Sequence, residues 1–125
     1  MGDPRRGLGR STEEAAAAFL ADRGLTVVAR NVRLAEGEID LVCRDGDTWV
    51  FVEVKSRRAA WGDSAAAAVT RDKQRRLARL ARHYLKCKRL GSTTCRFDVV
   101  AVTVAPDGGV AEIRHLRDAF EGGAW

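Results

Sequence analysis

"GEIDLVCRDGDTWVFVEVKSR", residues Gly37 to Arg57, decides how this chain is read. It describes two short strands around a tight turn, with Asp45-Gly46 as the turn signal. Ile39, Leu41, Val42, Val50, Phe51, Val52 and Val54 are strand formers, yet Asp40, Glu53 and Lys55 stand among them. Side chains alternate faces along a strand, so Glu53 and Lys55 share one face, and Val52 and Val54 point to the other. A two-residue loop at Asp45-Gly46 puts Asp40 opposite Phe51, with Glu53 its diagonal neighbour. A loop at Gly46-Asp47 instead puts Asp40 directly opposite Glu53. A three-residue loop with a bulge would disturb both registers. Either two-residue loop brings the carboxylates within roughly 5–8 Å. At roughly 5 Å they repel by about 3 kcal/mol for an effective dielectric of about 20. Lys55 offsets part of this. A hard divalent cation, Mg²⁺ or Mn²⁺, offsets more, and the main-chain carbonyls of Val52 and Val54 are available as further ligands. The plainer alternative is a half-exposed strand face with a salt bridge from Asp40 or Glu53 to Lys55.

The chain has 125 residues, enough for one domain with a real core, and 46% of them are hydrophobic, which argues against disorder. "MGDPRRGLGR" has charge without an apolar run behind it and so does not read as a signal peptide. Arg6 stands where an acylation signal needs Ser or Thr. No apolar run approaches a membrane span. The expectation is a cytoplasmic protein. The three cysteines, Cys43, Cys87 and Cys95, have no C-x-x-C spacing and are expected as reduced thiols, with Cys43 and Cys95 in the core. His83 and His115 lie too far apart in sequence to suggest a zinc site.

The fold expectation is α/β: a central mixed sheet of four to five strands flanked by helices, in the order αβββαβ(β). "STEEAAAAFLADRG" is a helix, with Ser11 or Thr12 as N-cap, Ser11-x-x-Glu14 as a capping box, and Gly24 as the stop. "LTVVARNVRL" is a strand, and the hairpin follows it. "RAAWGDS" is a loop, whose Trp61 either touches substrate or covers the core. A long helix begins at Ala65 or Thr70 and runs to Arg89, ended by Gly91-Ser92. Its buried stripe is Leu77, Leu80, Ala81, Tyr84 and Leu85. "CRFDVVAVTV" is a central strand, "PDGG" a turn and "VAEIRHL" a candidate edge strand. One domain is expected over residues 11–118, with a mobile segment at 1–10 and a tail at 119–125.

Net charge is +5, but it is unevenly spread. Arg71 to Arg96 carry ten Lys or Arg against one acid, Asp72; the rest carries twelve against sixteen, a net −4. Arg75, Arg79, Arg82 and Lys86 recur at spacing 4, 3, 4 and make one stripe on the second helix. A solvated helix face usually mixes signs, so this one points to a phosphate backbone. Lys73 and Gln74, at the helix start, are placed nearer the hairpin charges, and Arg57 and Arg58 are further candidates to hold phosphate. Trp49, Trp61, Tyr84 and Phe97 form no stacking ladder for single-stranded bases.

Asp40, a spacer of twelve residues and Glu53-Val54-Lys55 resemble the core signature of the PD-(D/E)xK nuclease superfamily. "GEIDL" with "FVEVKSR", preceded by "ARN" and by a helix with a Glu near its start, is similar to the YraN-like family of small bacterial proteins. That family is grouped by similarity with archaeal Holliday-junction resolvases. The resemblance runs from about Leu8 to Val104. It implies a restriction endonuclease-like core, a Mg²⁺ or Mn²⁺ ion held by Asp40 and Glu53, and Lys55 orienting or activating water. It further implies that Glu13, matching a helix glutamate, completes the site, with Glu14 as the other candidate. Ile39 replaces the superfamily's proline, and Thr12 the small residue usual before the helix glutamate. Resolvase-like members usually act as dimers, and "FEGGAW" is a candidate dimer segment.

The functional expectation is a metal-dependent endonuclease acting on structured or branched DNA. One alternative is a nucleic-acid-binding module that keeps the nuclease fold without cutting. Another is a domain whose basic helix binds an acidic protein.

Overall fold

The computed structural model describes residues 4–58, 69–91 and 93–120, with side chains from residue 12 onward. The elements are α1 (Pro4–Asp22), β1 (Thr26–Leu34), β2 (Gly37–Asp45), β3 (Thr48–Arg58), α2 (Arg71–Cys87), β4 (Cys95–Val104) and β5 (Val110–Phe120). The strands form one sheet in the order β1-β2-β3-β4-β5. β3 and β4 pair in parallel and the other neighbours antiparallel. A parallel pair needs a long crossover, and α2 lies within it. Trp61 and Ala65 fall outside the described residues, as do Ser92 and all of "FEGGAW" after Phe120.

Helix α1 begins at Pro4, so Ser11 and Thr12 stand inside the helix and do not cap it. Proline is at ease in a first helical turn, where its missing N–H costs nothing. The other end follows the sequence signal. Gly24 takes φ +95°, Gly24 N–H donates to the Ala21 carbonyl, and Leu25 N–H donates to that of Leu20. This is a Schellman cap, with Leu25 turned into the core. Helix α2 starts at Thr70, whose hydroxyl accepts from Lys73 N–H at 3.2 Å. It closes with Arg89 at φ +57° and Leu90 N–H on the Leu85 carbonyl, ahead of the expected Gly91-Ser92.

The two helices cover opposite faces of the sheet. Under α2, Leu77, Leu80, Ala81, Tyr84 and Leu85 pack on Trp49, Phe51 and Phe97. Phe51 meets Tyr84 edge-on at 5.9 Å, and Phe97 stacks on Phe120 at 5.1 Å. On the other face, Ala16, Ala17 and Leu20 of α1 pack on Leu41, Cys43, Val50, Val52, Val100 and Val102. β4 is buried without a break from Phe97 to Val102, as expected for a strand covered on both faces. Cys43 is buried, and its thiol is pushed up to about 12 by burial and by the Asp98 charge. Cys95 is exposed at the first position of β4, which corrects the expectation that it belongs to the core.

Asp98 is fully buried on β4. Arg96 donates to it through Nε at 3.1 Å and Nη2 at 3.2 Å. Asp118 N–H donates at 2.9 Å, and His115 Nε2 lies 2.7 Å from Oδ2. Arg96 Nη1 also reaches Asp45 at 2.7 Å, and Arg117 reaches Asp45 at 3.3 Å. The network ties β5 to β4 and to the end of β2. Each carboxylate oxygen it buries has a donor, which is the condition for a buried carboxylate to be tolerated.

Candidate active site

The β2–β3 turn sets the site. Asp45 pairs with Thr48, so the loop is Gly46-Asp47. Only Gly46 takes a positive φ there, at 61°, the φ signs of a type II′ hairpin. Asp45 is held in the strand by its ion pair with Arg96. The register, Leu41↔Val52 and Val42↔Phe51, extends to place Asp40 across from Glu53. The paired ladder ends at Leu41↔Val52. Beyond it, Val54 N–H donates to Asp40 Oδ2 at 2.8 Å. A carboxylate thus takes the place a strand carbonyl would have had, and Val54 contributes its N–H to the site. Val52 and Val54 themselves pack on the α1 side.

Asp40 and Glu53 stand side by side in the site. Burial, then the neighbouring Glu53 charge, raise the Asp40 carboxyl from 3.8 to about 7. Burial also raises Glu53, and Lys55 and Lys73 work against that rise. Lys55 Nζ lies 3.9 Å from Glu53 Oε1. Burial and the adjacent Lys73 push the Lys55 ammonium below its ordinary value, while Glu53 and Asp40 pull the other way. Like carboxylates held together out of water, with cations at their flank, are an arrangement that structural surfaces avoid.

A pocket of about 200 Å³ opens over the pair, lined by Glu38, Asp40, Glu53, Lys73, Arg76, Leu77 and Leu80. Lys73 reaches it from the first turn of α2, whose cap fixes the chain there. Arg76 lies one turn on, and its side chain would meet a Cβ built at Gly37 at 3.5 Å. Gln74 does not face the pocket. Its Nε2 donates to the Val69 carbonyl at 3.0 Å and so ties down the segment ahead of the helix. Arg75, Arg79, Arg82 and Lys86 lie on the α2 face away from the sheet, open to solvent. Arg57 is half-buried on β3, and Arg58 is exposed.

Of the two helix glutamates, Glu14 is exposed and Glu13 turns toward the site. Burial and the Asp40 charge raise the Glu13 carboxyl, and a hydrogen bond from Asn31 opposes them. Asn31 takes φ +50° in β1, across from Asp40 in the pairing of Arg30↔Leu41 and Val32↔Ile39. Asparagine is the residue, after glycine, that visits this conformation most readily. Asn31, Glu38 and Arg76 are the site residues that sequence reasoning passed over as such. The one available signal was an asparagine, a poor strand former, in the middle of "VVARNVRL".

Among the described residues, no three His, Cys, Asp or Glu side chains are grouped closely enough to hold a metal ion. The Asp40–Glu53 pair fits a hard divalent cation by donor type, and these two carboxylates are the ones that would hold it. Glu13 is committed to Asn31 and stands outside that pair.

An α/β protein with a five-stranded mixed sheet and a paired-carboxylate pocket under one helix is thus defined. The chain belongs to the uncharacterised protein family UPF0102, the YraN family, which matches residues 12–102. The match takes in Glu13, Asp40, Glu53, Lys55, Lys73 and Arg76 and stops short of β5. A UPF0102 protein of Symbiobacterium thermophilum is 51% identical, over 92% of this chain and 97% of its own length. One from Syntrophus aciditrophicus is 47% identical, over 90% and 87%. One from Pelotomaculum thermopropionicum is 43% identical, over 96% and 100%. No described helix is long and apolar enough to cross a membrane.

Proposed function

We propose that the chain is a metal-dependent endonuclease of the PD-(D/E)xK, restriction endonuclease-like kind, hydrolysing phosphodiesters of structured or branched DNA. The observation that carries this reading is the Asp40–Glu53 carboxylate pair at the mouth of a basic-lined pocket, with Lys55 Nζ 3.9 Å from Glu53. Mg²⁺ or Mn²⁺ held by Asp40 and Glu53 would supply Lewis acidity toward the phosphoryl group and the attacking water. Lys55 would hold and orient that water as a hydrogen-bond donor and stabilise the negative charge that develops beside it. Lys73 and Arg76 face the negative charge that builds on the phosphoryl oxygens. Glu13 and Asn31 hold the outer side of Asp40. Water adds to phosphorus, the P–O bond to the leaving nucleotide breaks, and a hydroxyl and a phosphate monoester result. The exposed stripe Arg75, Arg79, Arg82 and Lys86 would hold the flanking backbone. Action in the cytoplasm, and as a homodimer when two strands are cut, belongs to the same reading.

The test uses purified protein on linear, flapped and four-way DNA with Mg²⁺ or Mn²⁺. Asp40→Ala and Lys55→Ala should each lower the rate by about 10²–10³. Undiminished cleavage in either variant would sink the assignment. A second reading is a nucleic-acid-binding module that does not cut, which the exposed basic stripe Arg75, Arg79, Arg82 and Lys86 supports by itself. Salt-dependent binding that persists in both variants, with no nicking by the unaltered protein, would select that reading.

A further inference from the structure

Arg57 is charged and half-buried, and two of its nitrogens have no hydrogen-bond partner among the described residues. Its Nε and Nη1 are both out of water and bonded to nothing among the described residues. Among those residues, the only other orphan of this kind is Arg44 Nε. That guanidinium has other company, with Asp47 at 3.8 Å and the Trp49 ring at 5.2 Å. Arg57 has neither an acid nor a ring of this kind beside it among the described residues. A buried donor without an acceptor is destabilising, and more so when it is charged. Such a cost persists where a ligand removes it.

The strand fixes where Arg57 points. β3 pairs with β4 without a register shift from Trp49 to Arg58. Alternation is therefore unbroken, and Trp49, Phe51, Glu53, Lys55 and Arg57 share the face under α2, while Val50, Val52 and Val54 share the other. Lys55 and Arg57 stand about 7 Å apart along the strand. That is close to the separation of neighbouring phosphates on one nucleic-acid strand. Nη2 is not among the closed atoms, and through it the guanidinium can donate to a phosphate oxygen.

We propose that Arg57 is a phosphate clamp, gripping the backbone phosphate next to the one that lies over Asp40, Glu53 and Lys55. The proposal rests on the nuclease reading for the identity of the central phosphate. Its ligand is a nucleic-acid phosphodiester, and its role is positioning.

Binding of the unaltered protein, Arg57→Gln and Arg57→Lys to duplex and four-way DNA is measured across a salt series in Ca²⁺, with cleavage in Mn²⁺ and thermal melting run in parallel. Removing one cation from the phosphate backbone should make the slope of log K against log[salt] shallower by about 0.9 in Arg57→Gln. Arg57→Lys should keep most of the slope. Neither variant should melt lower than the unaltered protein, because the native Nε and Nη1 make no hydrogen bond among the described residues for the substitution to remove. An unchanged slope in Arg57→Gln, with cleavage intact in the unaltered protein, overturns the clamp and leaves the nuclease reading standing. A shallower slope without any cleavage supports the clamp and removes the nuclease reading. A clear fall in melting temperature with an unchanged slope marks Arg57 as structural support and overturns the proposal. Absence of salt-dependent DNA binding by the unaltered protein, with retention of an acidic protein instead, overturns both.

Discussion

A fully buried and a half-buried carboxylate in this molecule have opposite surroundings. Asp98 receives Arg96 Nε and Nη2, the Asp118 N–H and a contact from His115. Asp40 receives one backbone N–H and faces another acid. Burial penalises both, but only Asp98 is given the cations and donors that offset the penalty. The difference separates a carboxylate that holds the fold from one the fold holds in readiness. A chain that can build the first arrangement on β4 has no structural reason to build the second between β2 and β3.

The strongest way to break the comparison is Asp98→Ala. It leaves Arg96 and His115 buried without their acceptor and should cost about 3–5 kcal/mol, read as a lower denaturant midpoint. A domain of ordinary stability has only about 5–15 kcal/mol to lose. A midpoint within error of the unaltered protein would put both carboxylates in the same class.

Asp40→Asn should act in the opposite direction. The Asp40 carboxyl in the folded chain titrates at about 7, above its ordinary value of 3.8. The folded state therefore binds this proton more readily than the unfolded one. The stability this contributes is complete below about 3.8 and is lost as pH rises through about 7. Relative to Asp40→Asn, the unaltered protein should melt progressively lower between about pH 4 and about pH 8, and a pH-independent difference would refute the raised Asp40 carboxyl. On the proposed reading Mn²⁺ would compete with protonation of Asp40. At roughly a hundredfold excess over its Kd it should return about 2.7 kcal/mol near about pH 8, little near about pH 5, and nothing in the variant.

The smallest effect belongs to the exposed stripe. Arg79→Gln with Arg82→Gln should leave stability within about 0.5 kcal/mol. The salt dependence of DNA binding should fall by about 0.9 for each phosphate no longer neutralised. Unchanged salt dependence would confine recognition to the pocket side of α2.

Local chemistry made the hairpin, the start of α2 at Thr70 (one of two expected starts) and the Gly24 stop legible in the sequence. Each depends on residues a few positions apart: a glycine that can take positive φ, a threonine that can cap, leucines at helical spacing. The turn itself was legible only to within one residue, because "DGD" allows the glycine to be first or second in the loop. The choice is made at a distance, by Arg96 of β4 gripping Asp45. The start of α1 was misplaced because Ser11 and Thr12 imitate a cap where Pro4 already opens the helix. Asp40, Glu53 and Lys55 could be singled out because acids inside a valine run are conspicuous. Asn31, Glu38 and the Asp98 network could not. They acquire meaning only when β1 lies beside β2, α2 docks over β3, and β5 returns along β4.

One backbone group now stands as a gauge of the pocket. Val54 N–H would have belonged to the ladder between β2 and β3, and it points instead at Asp40 Oδ2. Its proton therefore senses whether that oxygen carries charge, shares a proton or has turned toward an ion. The amide resonance of Val54 is a reporter wired into the main chain, and it can be read without any substrate or any turnover.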